Sequence, residues 1–244
     1  MGLFKKKGEQ KRFVPTNAAH KSTLHKNLDF TATEQYKLIR ANLDFTIPIE
    51  EKCPVIGVTS AMRGEGKSTT AINLSYVFAS KGSKVLLIDA DLRIPSIAKK
   101  LELEHTSGLA DLLKSKGSNA NTAIQPYELE NWFVLTSGDV PPNPSELLGS
   151  KRMERILNEL RQEFDYIIID LPPVNIVSDA VAISKFITGM IIVVREEHTE
   201  KKELERCFRQ LKMSNIKLLG CVMNGTKSGS KYYSKYKKFR TIVT

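Results

Sequence analysis

The order of apolar and polar residues along the chain predicts strands and helices in alternation. Short apolar runs are typical of buried strands, and they cover residues 54–60, 84–89, 132–136, 166–170, 190–195 and 217–223. Stretches with helical periodicity lie between them, at residues 31–46, 67–80, 150–164, 178–186 and 199–213. The pattern over residues 93–124 predicts short helices and loops. The alternation predicts an α/β fold: a doubly wound, mostly parallel sheet flanked by helices.

One stretch of this pattern combines a predicted strand, a glycine-bearing loop and the start of a helix. In this stretch, AMRGEGKST, Gly64 and Gly66 let the backbone turn its N–H groups inward. The helix beginning at Lys67 presents its positive end to an anion, so we expect Lys67 to meet the β- and γ-phosphates of ATP. The Ser68 hydroxyl is expected to ligate Mg²⁺. The predicted ATP-binding segment also includes Met62, Arg63, Glu65 and Thr69. The alternative is a glycine turn before an ordinary helix.

Two further motifs place carboxylates at the ends of predicted strands. The run VLLIDADLR contains Asp89 and Asp91, and YIIIDLPP contains Asp170. Open α/β sheets hold their ligands at the carboxyl ends of the strands. We expect Asp91 and Asp170 to hold Mg²⁺ together with Ser68, largely through water, and Asp89 to act as the base for an incoming hydroxyl. The pattern leaves the order of these roles open, and a purely structural use of the carboxylates is the alternative.

Composition narrows the class of protein. A chain of 244 residues with 41% hydrophobic content can bury one sizeable core. No apolar run approaches the roughly 20 residues that span a bilayer, and the first residues lack the apolar segment of a signal peptide, so we expect a cytoplasmic protein. The three cysteines form no CxxC pair, which argues against a metal site or a disulfide framework.

The formal charge of +10 is concentrated at the two ends of the chain. Residues 1–26 and residues 225–244 each carry +6, which leaves about −2 for the body. Basic ends on such a body favour solvated arms, a membrane surface or an acidic partner over a folded nucleic-acid-binding domain. We therefore predict a flexible basic extension over residues 1–30, a domain over residues 31–224 and a flexible tail over residues 225–244.

The tail carries three of the seven tyrosines of the chain. Tyr232, Tyr233 and Tyr236 lie in a segment too polar to form a core of its own. Phosphate acceptors are the favoured interpretation. Stacking of the tyrosine rings on nucleic acid is the alternative.

Together these motifs resemble those of bacterial tyrosine kinases of the capsule and exopolysaccharide class. The resemblance covers residues 31–236 and rests on the modified phosphate loop, the two aspartate motifs, SGDVPPNPSELL at residues 137–148 and the tyrosine-bearing tail. It implies a modified-Walker P-loop NTPase fold and Mg-ATP-dependent autophosphorylation of the tail tyrosines. It also implies that the tail of one subunit enters the active site of its neighbour in a ring-shaped homo-oligomer.

The resemblance further implies partners and an interface. The expected activator is the cytoplasmic segment of a transmembrane protein of polysaccharide synthesis, which would recruit the chain to the inner face of the membrane. A cognate tyrosine phosphatase is expected, and nucleic acid is not. The interface motif ExxRxxR of the family corresponds to Glu34, Lys37 and Arg40, with a lysine that cannot make the forked contact of an arginine. Asn224 resembles the residue that related ATPases place against adenine.

A second hypothesis is a positioning or partitioning ATPase of similar fold, which hydrolyses ATP without phosphorylating protein. Such ATPases usually carry a signature lysine just after the first residue of the phosphate loop. Met62 stands at that position here. Together with the tyrosine-bearing tail, this favours the kinase.

Overall fold

The sheet and its flanking helices follow the predicted alternation. The computed structural model describes residues 24–104, 107–115 and 122–226. Its strands are β1 (Val55–Ser60), β2 (Val85–Asp89), β3 (Ile124–Tyr127), β4 (Leu129–Leu135), β5 (Tyr166–Asp170), β6 (Gly189–Arg195) and β7 (Leu218–Asn224). Its α-helices are α1 (Phe30–Thr46), α2 (Lys67–Ala79), α3 (Ile97–Leu101), α4 (Leu109–Lys114), α5 (Pro144–Leu148), α6 (Lys151–Leu160), α7 (Asp179–Ile183) and α8 (Lys201–Met213). Short 3₁₀ turns occupy His25–Asn27 and Ser184–Phe186.

Within the described ranges, seven strands form one sheet in the order β3-β4-β2-β5-β1-β6-β7. All neighbouring pairs are parallel except β3 with β4. The crossovers place β5 between β1 and β2, and Asp170 pairs with Val58 on one side and with Asp89 on the other. The predicted doubly wound, mostly parallel fold is confirmed. The sheet order is what brings the carboxyl ends of β1, β2 and β5 together.

Apolar layers cover both faces of the sheet, which explains the continuous apolar runs of its strands. Along β2, Leu86 and Ile88 pack in one core cluster, while Val85 and Leu87 pack in the other. Helix α2 belongs to the second cluster and has ten of its 13 residues buried. The helix that follows the phosphate loop is therefore held rigidly against the sheet.

One edge of the sheet differs from the prediction. The pattern predicts short helices and loops up to residue 124 and a strand only at 132–136, whereas β3 and β4 form an antiparallel hairpin. Its register shifts between Pro126 and Tyr127, and Glu128 at the turn has a φ of +51°. Proline is tolerated in a sheet only at an edge or a bulge. These irregularities erase the period-2 pattern that would have revealed the hairpin.

The amino-terminal side of the fold begins earlier than the predicted domain boundary at residue 31. Leu24 is buried in the core, and the backbone N–H of His25 donates to Asn73 Oδ1 at 2.7 Å. Helix α1 begins at Phe30 because the Asp29 carboxylate accepts the N–H three residues on, at 2.7 Å. The spacing of Thr31 and Glu34 in the sequence is that of a capping box, which predicts that Thr31 caps this helix. This prediction is wrong, since Thr31 lies inside the first turn of the helix.

The helices of the described segments include none that is long and apolar enough to cross a membrane.

Candidate active site

The phosphate loop joins β1 to α2 and has the strained geometry that its glycines permit. Gly64 and Gly66 have φ angles of +81° and +98°, in the left-handed region that favours glycine. A side chain at Gly66 would also collide with the amide of Asn224. The loop thus leaves the N-terminus of α2 at the carboxyl edge of the sheet, where unpaired N–H groups favour an anion.

Residues at the end of β6 and just after it hold the phosphate loop in place. The Glu65 side chain is fully buried and accepts hydrogen bonds from the Thr199 hydroxyl at 2.6 Å and from the Met62 N–H at 3.2 Å. Arg195 donates from Nη1 to the Gly64 carbonyl at 3.0 Å. Glu65 therefore stiffens the loop from inside. Sequence reasoning missed Thr199 and Arg195, because no local motif marks either of them as a partner of the loop.

Lys67 is the centre of a charged cluster that unites three separate motifs. Its Nζ lies 2.8 Å from Asp91 Oδ2, 3.3 Å from Asp170 Oδ1 and 3.3 Å from the Ser68 hydroxyl. Burial by itself lowers the pKa of Lys67, but the charges of Asp170 and Asp91 outweigh it and raise that pKa. The lysine is therefore held as a cation among carboxylates.

Asp89 and Asp91 occupy different environments although two residues separate them. Asp89 is fully buried, and its Oδ2 accepts two N–H groups at the start of α3, at 3.0 and 2.9 Å. Burial, followed by the charge of Asp170, raises the pKa of Asp89 to about 7. Asp91 instead lines an open cavity of about 190 Å³ beside the phosphate loop. The assignment of Asp89 as base stays a prediction, and Asp91 has the more direct access to the cavity.

The oxygen atoms of the cluster suit a magnesium ion that arrives with a nucleotide. Asp170 Oδ2 is buried and has no hydrogen-bond partner among the described residues, so this oxygen is available to coordinate a metal ion. In the same ranges, no group of three or more His, Cys, Asp or Glu is arranged to hold a metal ion. Mg²⁺ commonly takes one or two carboxylates and completes its shell with waters and substrate phosphates. Ser68, Asp91 and Asp170 supply such a partial set.

A buried acid connects the aspartate motif VLLIDADLR to the proline-rich loop at residues 137–148. Asp179 accepts hydrogen bonds from Arg93 Nε and Nη2 at 2.9 and 3.0 Å, and the Ser145 hydroxyl also donates to it. The Arg93 pKa is raised by this hydrogen bonding to Asp179. Sequence reasoning did not single out Asp179, since an acid in the first turn of a short helix is ordinary.

Comparison with known proteins places this geometry in a family. A family model described as an AAA domain matches residues 53–222. The tyrosine-protein kinase YwqD of Bacillus subtilis is 43% identical over 195 residues, which are 80% of this chain and 81% of YwqD. The chain belongs to the bacterial tyrosine-kinase family.

Solved structures agree with this membership of the bacterial tyrosine-kinase family. The crystal structure of the chimerical protein CapA2B2 is similar with a TM-score of 0.78 and 36% identity, covering 84% of this chain and 90% of that one. The kinase domain of the Escherichia coli tyrosine kinase ETK has a TM-score of 0.79 and 29% identity, covering 90% of this chain and 84% of its own. These similarities confirm the predicted modified-Walker P-loop fold. A fold of this kind implies nucleotide binding.

The predicted interface residues of this bacterial tyrosine kinase do not share one environment. Lys37 is exposed and pairs with Glu34 at 2.9 Å, one helical turn away. Arg40 turns toward α2, and its Nη1 donates to the Val77 carbonyl at 3.0 Å. Glu34 and Lys37 are therefore on the surface of the subunit, whereas Arg40 is engaged within it.

Asn224 ends β7 and lies against the phosphate loop, as its suggested role near a nucleotide requires. Its Nδ2 donates to the Glu65 carbonyl at 2.9 Å. It also lines a cavity of about 610 Å³ between α1 and the end of β7. The contact of Asn224 with adenine stays a prediction. The predicted acceptors Tyr232, Tyr233 and Tyr236 lie outside the described residues.

Proposed function

We propose that this chain is an ATP-dependent protein-tyrosine kinase that phosphorylates its own tail tyrosines in trans within a homo-oligomer. One observation carries the proposal: beside the phosphate loop, the Lys67 ammonium lies within 3.3 Å of a carboxylate oxygen of Asp91 and of Asp170. The cavity next to them is open to solvent and lined by Asp91. A nucleotide at the phosphate loop and a phenol entering through the cavity could therefore lie next to each other, which supports the proposal.

The chain supplies binding and charge for phosphoryl transfer. The N–H groups at the start of α2 and the Lys67 ammonium would orient the phosphates and balance their charge. Ser68, Asp91 and Asp170 would hold Mg²⁺, which when bound neutralises charge that develops on the phosphate oxygens. Phosphoryl transfer depends mainly on such positioning and charge stabilisation.

Two carboxylates are candidates for the base that accepts the phenolic proton. Asp89 is the proposed base, and its pKa of about 7 suits proton transfer at neutral pH. Its side chain is, however, committed to the start of α3. Asp91 lines the cavity and is the alternative candidate for the base. If Asp89 is the base, Asp89→Asn should abolish transfer while Mg-ADP still binds. Asp91→Asn should also weaken Mg-ADP binding, because Asp91 is a proposed Mg²⁺ ligand.

Phosphotyrosine formation tests the function directly. We would incubate the purified full chain with Mg-ATP and the cytoplasmic segment of its transmembrane adaptor, then probe for phosphotyrosine. Lys67→Met should abolish the signal, whereas Lys201→Met, at a lysine that is 90% exposed, should keep it. Replacing Tyr232, Tyr233 and Tyr236 by Phe should abolish the signal and spare ADP binding. ATP hydrolysis without phosphotyrosine in the wild type would instead support the partitioning-type ATPase.

The same proposal includes the partners of the chain. The cytoplasmic segment of a transmembrane adaptor of polysaccharide synthesis would activate the kinase and recruit it to the inner face of the membrane, and a tyrosine phosphatase would reverse the modification. Family membership and the two basic ends of the chain support this. Light scattering on the purified chain, with and without the adaptor segment, tests oligomer formation. A monomer under both conditions would contradict the ring.

A further inference from the structure

The cavity beside Lys67 has walls of two chemical kinds. Its polar wall consists of the phosphate loop, Lys67, Asp91 and Arg93. Its other wall is apolar and is formed by Ile94, Pro172, Pro173, Ile176 and Val177. Phosphate oxygens and a metal need hydrogen-bond donors, charges and oxygen ligands, and the apolar side chains offer none of these. The apolar wall therefore suits the other reactant.

Two isoleucines of this wall are unusually accessible for their type. Ile94 is 50% exposed and Ile176 is 39% exposed. A single exposed apolar side chain needs no explanation, but these two border one cavity although they follow different strands, β2 and β5. Their joint position at the charged centre points to a ligand with an apolar surface.

Hydrogen bonds to the catalytic motifs fix the backbone of both isoleucines. The Ile94 N–H donates to Asp91 Oδ1 at 3.1 Å. The Ile176 N–H donates to the Pro173 carbonyl at 3.2 Å. The neighbouring Asn175 donates from Nδ2 to Glu203, to the carbonyl oxygen at 2.8 Å and to Oε2 at 2.9 Å. Contacts with Asp91, Pro173 and Glu203 thus pre-organise the backbone of the wall, which favours specific binding.

We infer that Ile94 and Ile176 form an apolar slot that receives the phenol ring of the acceptor tyrosine and so selects tyrosine over serine and threonine. This inference rests on the proposed kinase function. The occupant is a tail tyrosine from a second copy of the chain. A phenol has an apolar body and a polar tip, which matches an apolar wall that leads to Lys67 and Asp91. A serine has no such body, and its hydroxyl lies closer to its own backbone.

The slot positions the ring for the transfer. A bond forms between the phenolic oxygen and the γ-phosphorus of ATP, while the bond from that phosphorus to the β,γ-bridging oxygen breaks. ADP leaves with that electron pair, and the phenolic proton passes to a carboxylate of the site. Ile94 and Ile176 take no part in the bond changes, so their effect should fall on the KM for the acceptor.

Kinetics with a separate acceptor peptide tests the slot. The enzyme is the full chain with its three tail tyrosines changed to Phe, and the substrate is a synthetic peptide of residues 227–244. Ile94→Ser and Ile176→Ser should each raise the KM for this peptide about tenfold, which corresponds to about 1.4 kcal/mol of lost apolar burial. Ile94→Leu should bring the KM back toward the wild-type value. Ile49→Ser is the matched control, because Ile49 is 97% exposed and does not line the cavity.

The outcomes separate the slot from the function on which it rests. A raised KM in the two slot variants, with ADP affinity retained and Ile49→Ser unchanged, supports the slot. An unchanged KM in Ile94→Ser and Ile176→Ser, or an equal rise in Ile49→Ser, overturns the inference of a slot but does not contradict the kinase function. A wild-type enzyme that phosphorylates a serine-substituted peptide as well as the tyrosine peptide also overturns the slot. Absence of phosphotyrosine in the wild type overturns the kinase function itself.

Discussion

Removing the ammonium group of Lys67 would expose the electrostatic cost of the carboxylate cluster. The Lys67 Nζ contacts Asp91 at 2.8 Å and Asp170 at 3.3 Å, and both aspartates are buried. Lys67→Met keeps an unbranched side chain about as long as the aliphatic part of lysine, but it removes the cation with which these carboxylates pair. We expect the nucleotide-free variant to be less stable than the wild type at pH 7.5.

The size of this loss follows from the two ion pairs. At an effective dielectric constant of 20, charges at 2.8 and 3.3 Å attract each other by about 6 and about 5 kcal/mol. Desolvation of the lysine offsets much of that attraction, and breaking a buried pair from one side typically costs about 3–5 kcal/mol. We expect a loss in this range for the free energy of unfolding.

The loss should depend on pH with a definite sign. Burial raises the pKa of Asp170, and the charge of Lys67 opposes that rise, so the variant raises this pKa further. A carboxyl group whose folded pKa lies above its unfolded pKa stabilises the fold at low pH and ceases to do so as the pH increases. The deficit of Lys67→Met should therefore shrink toward pH 5. Mg²⁺ should restore part of the stability at pH 7.5, since its charge can replace that of the ammonium.

Urea unfolding followed by tryptophan fluorescence measures these effects. Trp132 is the single tryptophan of the chain and is fully buried, so its emission reports unfolding of the core. Lys201→Met is the control and should unfold with the wild type. A Lys67→Met variant as stable as the wild type at pH 7.5, or a deficit that grows toward pH 5, would refute the electrostatic account of the site.

Two further changes test other features by urea unfolding. Asp29→Ala removes the N-cap of α1 and should lower the free energy of unfolding by about 1 kcal/mol, whereas Thr31→Ala should change it little. A larger loss in Thr31→Ala than in Asp29→Ala would instead support Thr31 as the cap. Asp89 has a pKa of about 7, so its ionised form increasingly opposes folding as the pH rises toward neutrality. Asp89→Asn should therefore gain on the order of 2 kcal/mol relative to the wild type between pH 5 and pH 7. The same difference at both pH values would contradict the buried, protonated carboxyl.

Features that depend on residues close together along the chain were predictable from the sequence. The apolar runs of β1, β2 and β5 and the glycines of the phosphate loop report local backbone requirements, so they predicted the strands and the Lys67 turn. The rule that ligands lie at the carboxyl ends of parallel strands was enough to group Lys67 with Asp91 and Asp170. The N-cap of α1 was mispredicted, because Asp29 and Thr31 both satisfy the local preference for a capping side chain.

By itself, the sequence determined the fold class and the residues of the central cluster, since hydrophobic period and turn chemistry are local properties. The tertiary structure decided the contacts between distant segments. Thr199 meets Glu65 across 134 positions, and Arg93 meets Asp179 across 86. It also decided that Asp91 is the aspartate of the cluster that lines the cavity, and that Ile94 and Ile176 share one wall. These relations depend on strand order and loop paths, which arise from packing of the whole sheet and leave no periodic trace in the sequence.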